Sequence, residues 1–391
     1  MIILVINCGS SSVKYQLFDI DRNKGRSLAK GIVERIATKL ARLVHKRGAS
    51  KNSFIRSTHC PDHSSAIAVI IDALTDRKVG VIGSSESIQG VGHRVVHGGE
   101  EFKESTRITK EIVRSIEAYS ELAPLHNPPS ILGIKACLSL LGHLPQVAVF
   151  DTSFHQTIPP HAFMYGLPYI FYKRYGIRRY GFHGTSHRYV ARQAAKILKK
   201  NPVELKLITC HLGNGCSMTA VDRGKSVDTS MGFTPLEGLL MGTRTGDLDA
   251  AIVMYLLDKE HVTLDRMNDI VNKESGLLGV SGLSNDMRDI VRAASKGNSR
   301  ARLALDMFIY RIKKYIGAYA AAMNGLDAVV MTAGIGENNP WIIRKLSREL
   351  NRAFGKKVRF LVVPTNEELL IAQDTYNAIN GKASKRYRLS A

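Results

Sequence analysis

HLGNGCSMTAVDRGKSVDTSMGFTPLEGLLMGTRTGDLD, residues 211–249, is the stretch that decides the fold. It is rich in glycine, and clustered glycine in a folded chain indicates that the backbone turns sharply or approaches a ligand closely. The apolar run LKLITC leads into the first glycines, and the run SMTAV follows them. We therefore predict a strand, a tight turn and a second strand. The bare N–H groups at that turn suit phosphate oxygens.

The same arrangement occurs near the start of the chain, where ILVIN is followed by the turn CGSSS and the alternating run VKYQLFDI. A third segment, LDAVVMTAGIGENNP, predicts a strand that ends in a glycine turn, followed by the helical pattern WIIRKLSRELNRAF. The Pro-rich segments LHNPPS and TIPPHAF predict connecting turns. This repetition predicts two related α/β halves that face each other across a cleft.

Helical periodicity fills the chain between these segments. Apolar residues recur every three or four positions in ITKEIVRSIEAYSELA, SHRYVARQAAKILKK and SRARLALDMFIYRIKKYIGAYAAAM. The length of 391 residues is sufficient for two domains, each with its own core. No apolar run approaches the roughly 18 residues that a membrane span needs, and the opening MIILVIN does not resemble a signal peptide. We therefore expect a cytoplasmic protein that does not associate with membranes.

Cysteine spacing and charge exclude further classes. The five cysteines are scattered and form no CxxC pair, which argues against a disulfide framework and against structural zinc. The net charge is +21, and its densest patches are KRYGIRR (173–179), KILKK (196–200) and KASKRYRLS (382–390). None of them interleaves aromatic residues as RNA-binding surfaces do, so we expect no specific nucleic-acid partner. A nucleic-acid binder would instead show strong, salt-dependent RNA binding.

Two common phosphate-binding fingerprints are absent from the sequence. There is no GxxxxGK[ST], and both GNGCSM and GIGENN lack the last glycine of GxGxxG. This excludes a P-loop NTPase and a Rossmann dehydrogenase. Asn7 and the segment GSSSVK (9–14), which ends in Lys14, nevertheless place an amide, hydroxyls and an ammonium around one tight turn. That turn suits a phosphate or a metal-bound phosphate.

Four further residues complete a set with recognisable chemistry. Arg94 lies on the alternating run HRVVH, and Asp151 follows the strand VAVF, where ligands bind in α/β sheets. His183 lies in a turn that enters a helix, and Arg244 is flanked by small residues. Each alone has an ordinary structural explanation, such as a surface arginine or a capping aspartate. Together they provide the cations, magnesium ligands and bare backbone that phosphoryl transfer requires.

The ordered segments of the chain also resemble a known family. INCGSSSVKYQLFD, GHRVVHGGE, LHNPP, FDTSFHQTIP, RRYGFHGTSHRYV, HLGNGCS, DTSMGFTPLEGLLMGTRTGDLD, TAGIGEN and PTNEELLIAQDT are similar, in order, to the signatures of acetate kinases. They span residues 2–375. The resemblance implies an α/β fold of two duplicated actin-like ATPase domains, as in acetate and sugar kinases, Hsp70 and actin, with an interdomain cleft. We place the domains at 1–150 plus 368–391 and at 151–367.

The resemblance also implies a reaction: reversible, direct in-line transfer of a phosphoryl group from ATP to acetate, giving acetyl phosphate and ADP. The implied cofactor is Mg²⁺, with Mn²⁺ as an alternative, and the implied assembly is a homodimer. Asn7 and Glu367 would hold the metal, with Ser10, Ser12 and Lys14 nearby. The implied catalytic residues are Arg94, His126, Asp151, His183 and Arg244, and Arg94 would also bind the acetate carboxylate.

The remaining implied residues form two pockets. The acetate pocket would consist of Val96, Leu125, Phe182 and Pro235, next to Arg94. The resemblance also implies that relatives that prefer propionate have a smaller residue at the position of Val96. The valine in this chain therefore favours acetate as the substrate. The nucleotide would contact His211, Gly213, Asn214, Gly215, Asp286, Arg288, Gly334, Ile335, Gly336 and Asn338. The segment 339–363 is shorter than the family usually has.

Two alternatives to an acetate kinase remain at this point. A propionate kinase would share the mechanism and differ only in the ratio of kcat/KM for the two acids. A nucleotide-dependent switch of the Hsp70 or actin type would turn over ATP in response to a protein partner, not to acetate. Arg94, His183 and Arg244 around a small pocket argue against the switch, because a switch needs no acceptor site.

Overall fold

The computed structural model describes residues 1–381, apart from residues 22, 23, 49, 51, 125 and 356. The expected pocket residue Leu125 and the basic tail at 382–390 therefore lie outside the described residues. The chain forms two compact units: unit 1 is Met1–Ser153 together with the segment that begins at Asn366, and unit 2 is Phe154–Thr365. The sequence analysis placed these boundaries at 150/151 and 367/368. Asp151 and Glu367 consequently lie in unit 1.

Both strands and helices occur throughout the described chain. The strands are β1 (Ile2–Gly9), β2 (Ser12–Asp21), β3 (Lys24–Glu34), β4 (Arg42–Arg47), β5 (Phe54–Ser57), β6 (Gly90–Val95), β7 (Thr106–Arg107), β8 (Gln146–Phe150), β9 (Lys206–Leu212), β10 (Cys216–Asp222), β11 (Lys225–Thr229), β12 (Ala328–Thr332) and β13 (Phe360–Val362). The α-helices are α1 (His63–Thr75), α2 (Lys110–Ala118), α3 (Asn127–Leu140), α4 (Pro160–Phe163), α5 (Tyr169–Tyr175), α6 (Gly184–Leu198), α7 (Ala250–Lys259), α8 (Leu264–Asp269), α9 (Gly276–Ser281), α10 (Met287–Ser295), α11 (Ser299–Ala322), α12 (Ala333–Asn338), α13 (Pro340–Phe354) and α14 (Glu367–Ile379).

Unit 1 is built on a sheet with the strand order β5-β4-β3-β2-β1-β6-β8-β7. Successive side chains of a strand point to opposite faces of the sheet. Leu4 and Ile6 of β1 accordingly pack in the core that contains residues of α1 and α3. Ile3 and Val5 pack on the opposite face, against α14. Helices therefore cover both faces of this sheet, and the C-terminal helix completes the unit that the N-terminus begins.

Unit 2 repeats the central part of that sheet. Its strand order is β11-β10-β9-β12-β13, and the matching strands of unit 1 are β3-β2-β1-β6-β8. In both sets the first three strands are antiparallel neighbours, and the last three run parallel. The two predicted glycine hairpins, β1–β2 and β9–β10, occupy equivalent positions. The expected fold of two duplicated actin-like ATPase domains is confirmed.

Three local predictions were wrong. LHNPPS and TIPPHAF do not form plain connecting turns, because their prolines lie in the first turns of α3 and α4. Proline is tolerated there since the first N–H groups of a helix have no intrahelical partner. The segment AGIGEN is the short helix α12 and not a glycine turn. Ala333, the first residue of this helix, adopts a left-handed φ of 62°.

The cysteines of the chain form no disulfide among the described residues. All five are buried free thiols, at Cys8, Cys60, Cys137, Cys210 and Cys216. Among the helices of the described chain, none has both the length and the apolar character that a bilayer span requires.

Candidate active site

Polar side chains lie near the same end of three neighbouring parallel strands of unit 1. Ile6 of β1 pairs with His93 of β6, and Val95 of β6 pairs with Phe150 of β8. Asn7, Arg94 and Asp151 therefore lie at the carboxyl ends of adjacent strands. In open α/β sheets this edge is where ligands bind.

Arg94 and Asp151 form an ion pair with two hydrogen bonds. The Nη2 atom of Arg94 donates to Oδ2 of Asp151 over 2.6 Å, and Nε donates to Oδ1 over 3.2 Å. The Asp151 side chain is 1% exposed and that of Arg94 is 23% exposed. Burial pulls the pKa of Arg94 down, but the charges of Asp151 and Glu367 outweigh it and raise the pKa above its usual value. The guanidinium is thus permanently charged and held in one orientation.

Glu367 is the first residue of α14 and belongs to the same electrostatic cluster. Desolvation raises the pKa of its carboxyl, with Asp151 and Glu368 adding to the rise and Arg94 and Lys14 opposing it. An acid with raised pKa among other acids is a site where a divalent cation would relieve repulsion. No group of three His, Cys, Asp or Glu side chains suited to a metal occurs among the described residues.

The other predicted residues of unit 1 surround these strand ends. Ser10 is exposed in the turn after β1, and Ser12 opens β2 opposite Gly9. Val96 is half-buried and directly follows β6. His126 immediately precedes α3, as its N-cap residue.

In unit 2, the predicted phosphate-binding residues meet at the turn Gly213–Gly215, which we call the GNG turn. A Cβ atom added to Gly215 would lie 3.6 Å from Nη1 of Arg244 and 3.6 Å from Cε1 of His183. A Cβ atom on Gly213 would lie 3.9 Å from that of Ala333, the first residue of α12. The two glycines are thus bordered by a guanidinium, an imidazole and bare backbone, which are groups that suit a phosphate.

Arg244 is a half-buried cation whose guanidinium contacts neutral groups. Its Nη1 atom donates to the carbonyl oxygen of Pro235 over 3.2 Å. Among the residues that the structure describes, no carboxylate pairs with it. Desolvation lowers the pKa of Arg244, and only the Cys216 thiol opposes this. A half-buried cation of this kind favours a nearby anion, because an anion offsets its desolvation.

His183 borders the GNG turn from the start of α6. It is the N-cap residue of that helix and has a left-handed φ of 55°. Its Nδ1 atom lies 2.8 Å from Oγ of Ser217, and its ring stacks on that of His211, with 4.2 Å between ring centroids. His211 in turn bonds through Nδ1 to Oγ of Ser186, 2.8 Å away. These contacts leave the Cε1–Nε2 edge of His183 directed towards the GNG turn.

The expected adenosine residues approach the same turn from two further elements. Asp286 is the N-cap residue of α10, and its carboxylate pairs with the guanidinium of Arg288, with 2.5 Å between Nη2 and Oδ2. The preceding residue, Asn285, donates to Oδ1 of Asn214 over 3.2 Å. The other expected members, Gly334, Ile335, Gly336 and Asn338, all lie on α12.

Phe182 and Pro235 are the expected pocket residues of unit 2. Phe182 is 2% exposed, and its carbonyl oxygen lies 3.0 Å from Nε2 of His155. Pro235 lends its carbonyl oxygen to Arg244. The structure thus brings Arg94, Asp151 and Glu367 together in unit 1. In unit 2 it brings Gly215, His183 and Arg244 together.

Two residues that the sequence analysis missed support His183 from behind. Ser217 and His187 are both fully buried, and they bond to each other. The spacing of His183 and His187, four residues apart in HGTSHR, places both on one helix face and was the available signal. For Ser217 the sequence offered only its position two residues after the GNG turn.

Comparison with known proteins agrees with this geometry. The sequence profile of the acetokinase family matches residues 2–356. The acetate kinase of Desulfitobacterium hafniense (strain DSM 10664 / DCB-2) is 54% identical over 399 residues, covering 97% of this chain and 99% of that protein. The crystal structure of Porphyromonas gingivalis acetate kinase matches with a TM-score of 0.91 and 43% identity, over 97% of this chain and 99% of that one. A propionate kinase from Francisella tularensis subsp. tularensis SCHU S4 matches with a TM-score of 0.89 and 42% identity, over 96% and 99%.

Proposed function

The chain belongs to the acetokinase family, and from this membership we propose how its residues carry out the family's reaction. The protein transfers a phosphoryl group between ATP and acetate, with acetyl phosphate and ADP as the other pair. One observation supports our assignment most strongly. Arg244 is half-buried beside the GNG turn and His183, and no carboxylate among the described residues neutralises it.

Unit 2 supplies the groups that bind the phosphates. The GNG turn offers backbone N–H groups to the phosphate chain of ATP, with Asp286, Arg288 and α12 around the adenosine. Arg244 and His183 donate to the equatorial oxygens of the phosphoryl group, where charge spreads in the transition state. The stacked His211 supports the imidazole of His183 from the side.

Unit 1 supplies the groups that handle acetate. Arg94 binds the acetate carboxylate, and Asp151 holds its guanidinium in place through the two hydrogen bonds. Val96 borders the methyl group, and His126 adds a donor. Acetate is already ionised near neutral pH, so its oxygen can attack without a strong base. Alignment for in-line transfer and neutralisation of charge therefore account for most of the catalysis.

The residues of unit 1 also fit a magnesium ion. Mg²⁺ prefers oxygen ligands and is usually held by one or two carboxylates, with water and phosphate oxygens completing the shell. Glu367 and Asn7 offer such oxygens. Desolvation raises the pKa of Glu367, and the negative charges of Asp151 and Glu368 raise it further. A divalent cation would offset this negative charge. When bound, the ion would neutralise charge on the phosphate oxygens.

The active form is a cytoplasmic homodimer without a specific nucleic-acid or membrane partner. Side chains on α7 support a protein interface: Ile252, Met254 and Tyr255 are all large, apolar and exposed. Neighbouring exposed apolar residues on a helix indicate a surface that another chain covers.

The reaction and the preferred acid can be tested together by trapping acyl phosphate with hydroxylamine from ATP, magnesium and either acetate or propionate. We expect product from both, with kcat/KM favouring acetate by about 10-fold, because one methylene is worth about 1–3 kcal/mol in an apolar pocket. The change Val96→Ala should raise the propionate-to-acetate ratio severalfold. The ratio of the two kcat/KM values needs no separate control, because a loss of folded enzyme lowers both values by the same factor. No acyl phosphate from either acid would contradict the proposed function.

Removal of the metal gives a second test. Chelation with EDTA should abolish acyl-phosphate formation, and Mg²⁺ or Mn²⁺ should restore it. Glu367→Gln should raise the Mg²⁺ concentration for half-maximal rate by at least about 10-fold, because the amide is a weaker ligand. Glu368→Gln is the matched control, since it removes the adjacent charge and leaves the assigned ligand. Equal effects of the two changes would remove Glu367 from the metal site.

A further inference from the structure

A buried chain of hydrogen bonds extends from His183 into the core of unit 2. Oγ of Ser217 lies 2.8 Å from Nδ1 of His183 and 2.7 Å from Nε2 of His187. Nδ1 of His187 lies 2.7 Å from Oγ1 of Thr209, which donates to the carbonyl oxygen of Thr219 over 3.5 Å. Ser217, His187 and Thr209 are all 0% exposed. A buried polar series of this kind needs an explanation, because a hydroxyl and a ring in the core are costly unless every bond is made.

The donors and acceptors of this chain match when His183 is protonated. An imidazolium donates from both nitrogens, so Ser217 must accept from Nδ1 of His183. The hydroxyl of Ser217 then donates a hydrogen bond to Nε2 of His187, and Nδ1 of His187 donates one to Oγ1 of Thr209. This requires His187 to be neutral, and burial does lower its pKa well below the usual value, with His155 and His211 adding to the effect.

Two ionisable groups that lie against His183, His211 and Arg244, do not replace Ser217 as the acceptor of this proton. His211 stacks on one face of the ring, and Arg244 lies across the GNG turn. Both groups are neutral or cationic, so neither stabilises an imidazolium. His183 is the N-cap residue of α6 and has a left-handed backbone conformation. The direction of its ring therefore depends on side-chain contacts such as the bond to Ser217.

We propose that Ser217 is a positioning residue, which together with His187 holds the imidazole of His183 with Nε2 towards the transferring phosphoryl group. The inference rests on the proposed role of His183 and adds the residues that make it effective. Ser217 itself contacts neither substrate. Its effect is expected on kcat, because a donor that is misdirected by about 1 Å loses transition-state stabilisation of about 100-fold.

The test is the change Ser217→Ala, assayed by acyl-phosphate formation at saturating ATP and acetate. We expect kcat to fall by about 10- to 100-fold, with both KM values changing less than about 3-fold. Ser217→Thr keeps the hydroxyl and should recover at least about a third of the wild-type kcat. If Ser217 only filled space in the core, Ser217→Thr would not recover kcat in this way.

Ser226→Ala is the matched control for loss of a buried serine–histidine bond. Oγ of Ser226 lies 2.9 Å from Nδ1 of His155, and Ser226 is also 0% exposed, one strand away on β11. Both alanine variants should lose similar thermal stability, whereas Ser226→Ala should keep kcat within about twofold. A drop in kcat that the two variants share would overturn the proposal.

A double-mutant comparison separates this inference from the proposed function. His183→Ala should reduce kcat strongly, and adding Ser217→Ala should reduce it no further, because the serine acts through the histidine. If His183→Ala keeps normal activity, the proposed role of His183 fails. If His183→Ala is inactive but Ser217→Ala is normal, only the positioning role fails.

Discussion

Replacing Arg244 with alanine is expected to lower kcat for acetyl phosphate formation by about 10³-fold, or about 4 kcal/mol on the barrier. The Kd for ATP should change less than about 3-fold, because the GNG turn and the adenosine residues remain. The measurements are acyl-phosphate trapping for kcat and titration calorimetry for ATP. A kcat near the wild-type value would remove Arg244 from the transferring phosphoryl group.

The expected size follows from the surroundings of Arg244. Its guanidinium meets a carbonyl oxygen of Pro235 and no carboxylate among the described residues, so its charge is available to a ligand. Desolvation lowers its pKa, so we expect the folded protein to hold this cation at a cost. Such a group is preorganised for the charge that develops on equatorial phosphoryl oxygens. Removing the guanidinium should therefore leave the melting temperature unchanged or raise it. Charged groups that active sites hold away from water often lower the stability of the folded protein.

Two further variants sharpen this test. Arg244→Lys keeps the charge but loses the planar fork, so an intermediate kcat is expected. Arg300→Ala is the control, because Arg300 likewise donates to backbone carbonyls, those of Gly279 and Val280. It should leave kcat within about twofold. A loss of activity in Arg300→Ala would indicate that removal of any such arginine disturbs unit 2.

The strands of the active-site edge could be predicted from sequence because their signals are local. Apolar runs that end in glycine and hydroxyl residues mark β1–β2 and β9–β10, and the observed hairpins coincide with them. Asp151 could be placed at a strand end for the same reason, since a fully apolar run precedes it. Candidate functional residues at the edge of a sheet can thus be predicted where the apolar pattern of a strand ends in the sequence.

Features that depend on distant partners could not be predicted in this way. Ser217 is 34 positions from His183, and only the tertiary packing of unit 2 brings their polar atoms together. Ala333 takes a left-handed φ where the adjacent Gly334 would be the sequence-based choice. The pairing of Arg94 with Asp151 likewise spans 57 positions, although the register of β6 and β8 makes it unavoidable once the sheet is formed.

Replacing Arg94 with glutamine is expected to reduce both activity and stability, unlike the change at Arg244. The kcat/KM for acetate should fall by about 10³-fold, because the carboxylate loses its bidentate partner. The free energy of unfolding should fall by about 3–5 kcal/mol, because the nearly inaccessible carboxylate of Asp151 loses its ion-pair partner. Acyl-phosphate assays and urea unfolding without nucleotide or magnesium measure the two effects.

The double variant Arg94→Gln with Asp151→Asn distinguishes the two contributions. Removing both charges replaces the ion pair by two neutral amides that can still bond to each other, so most of the lost stability should return. Activity should not return, because the cation that binds acetate is still missing. If the double variant regains activity together with stability, Arg94 serves the fold of unit 1 and not the substrate. If the single variant unfolds normally but is inactive, the ion pair is dispensable to the fold and Arg94 acts on acetate alone.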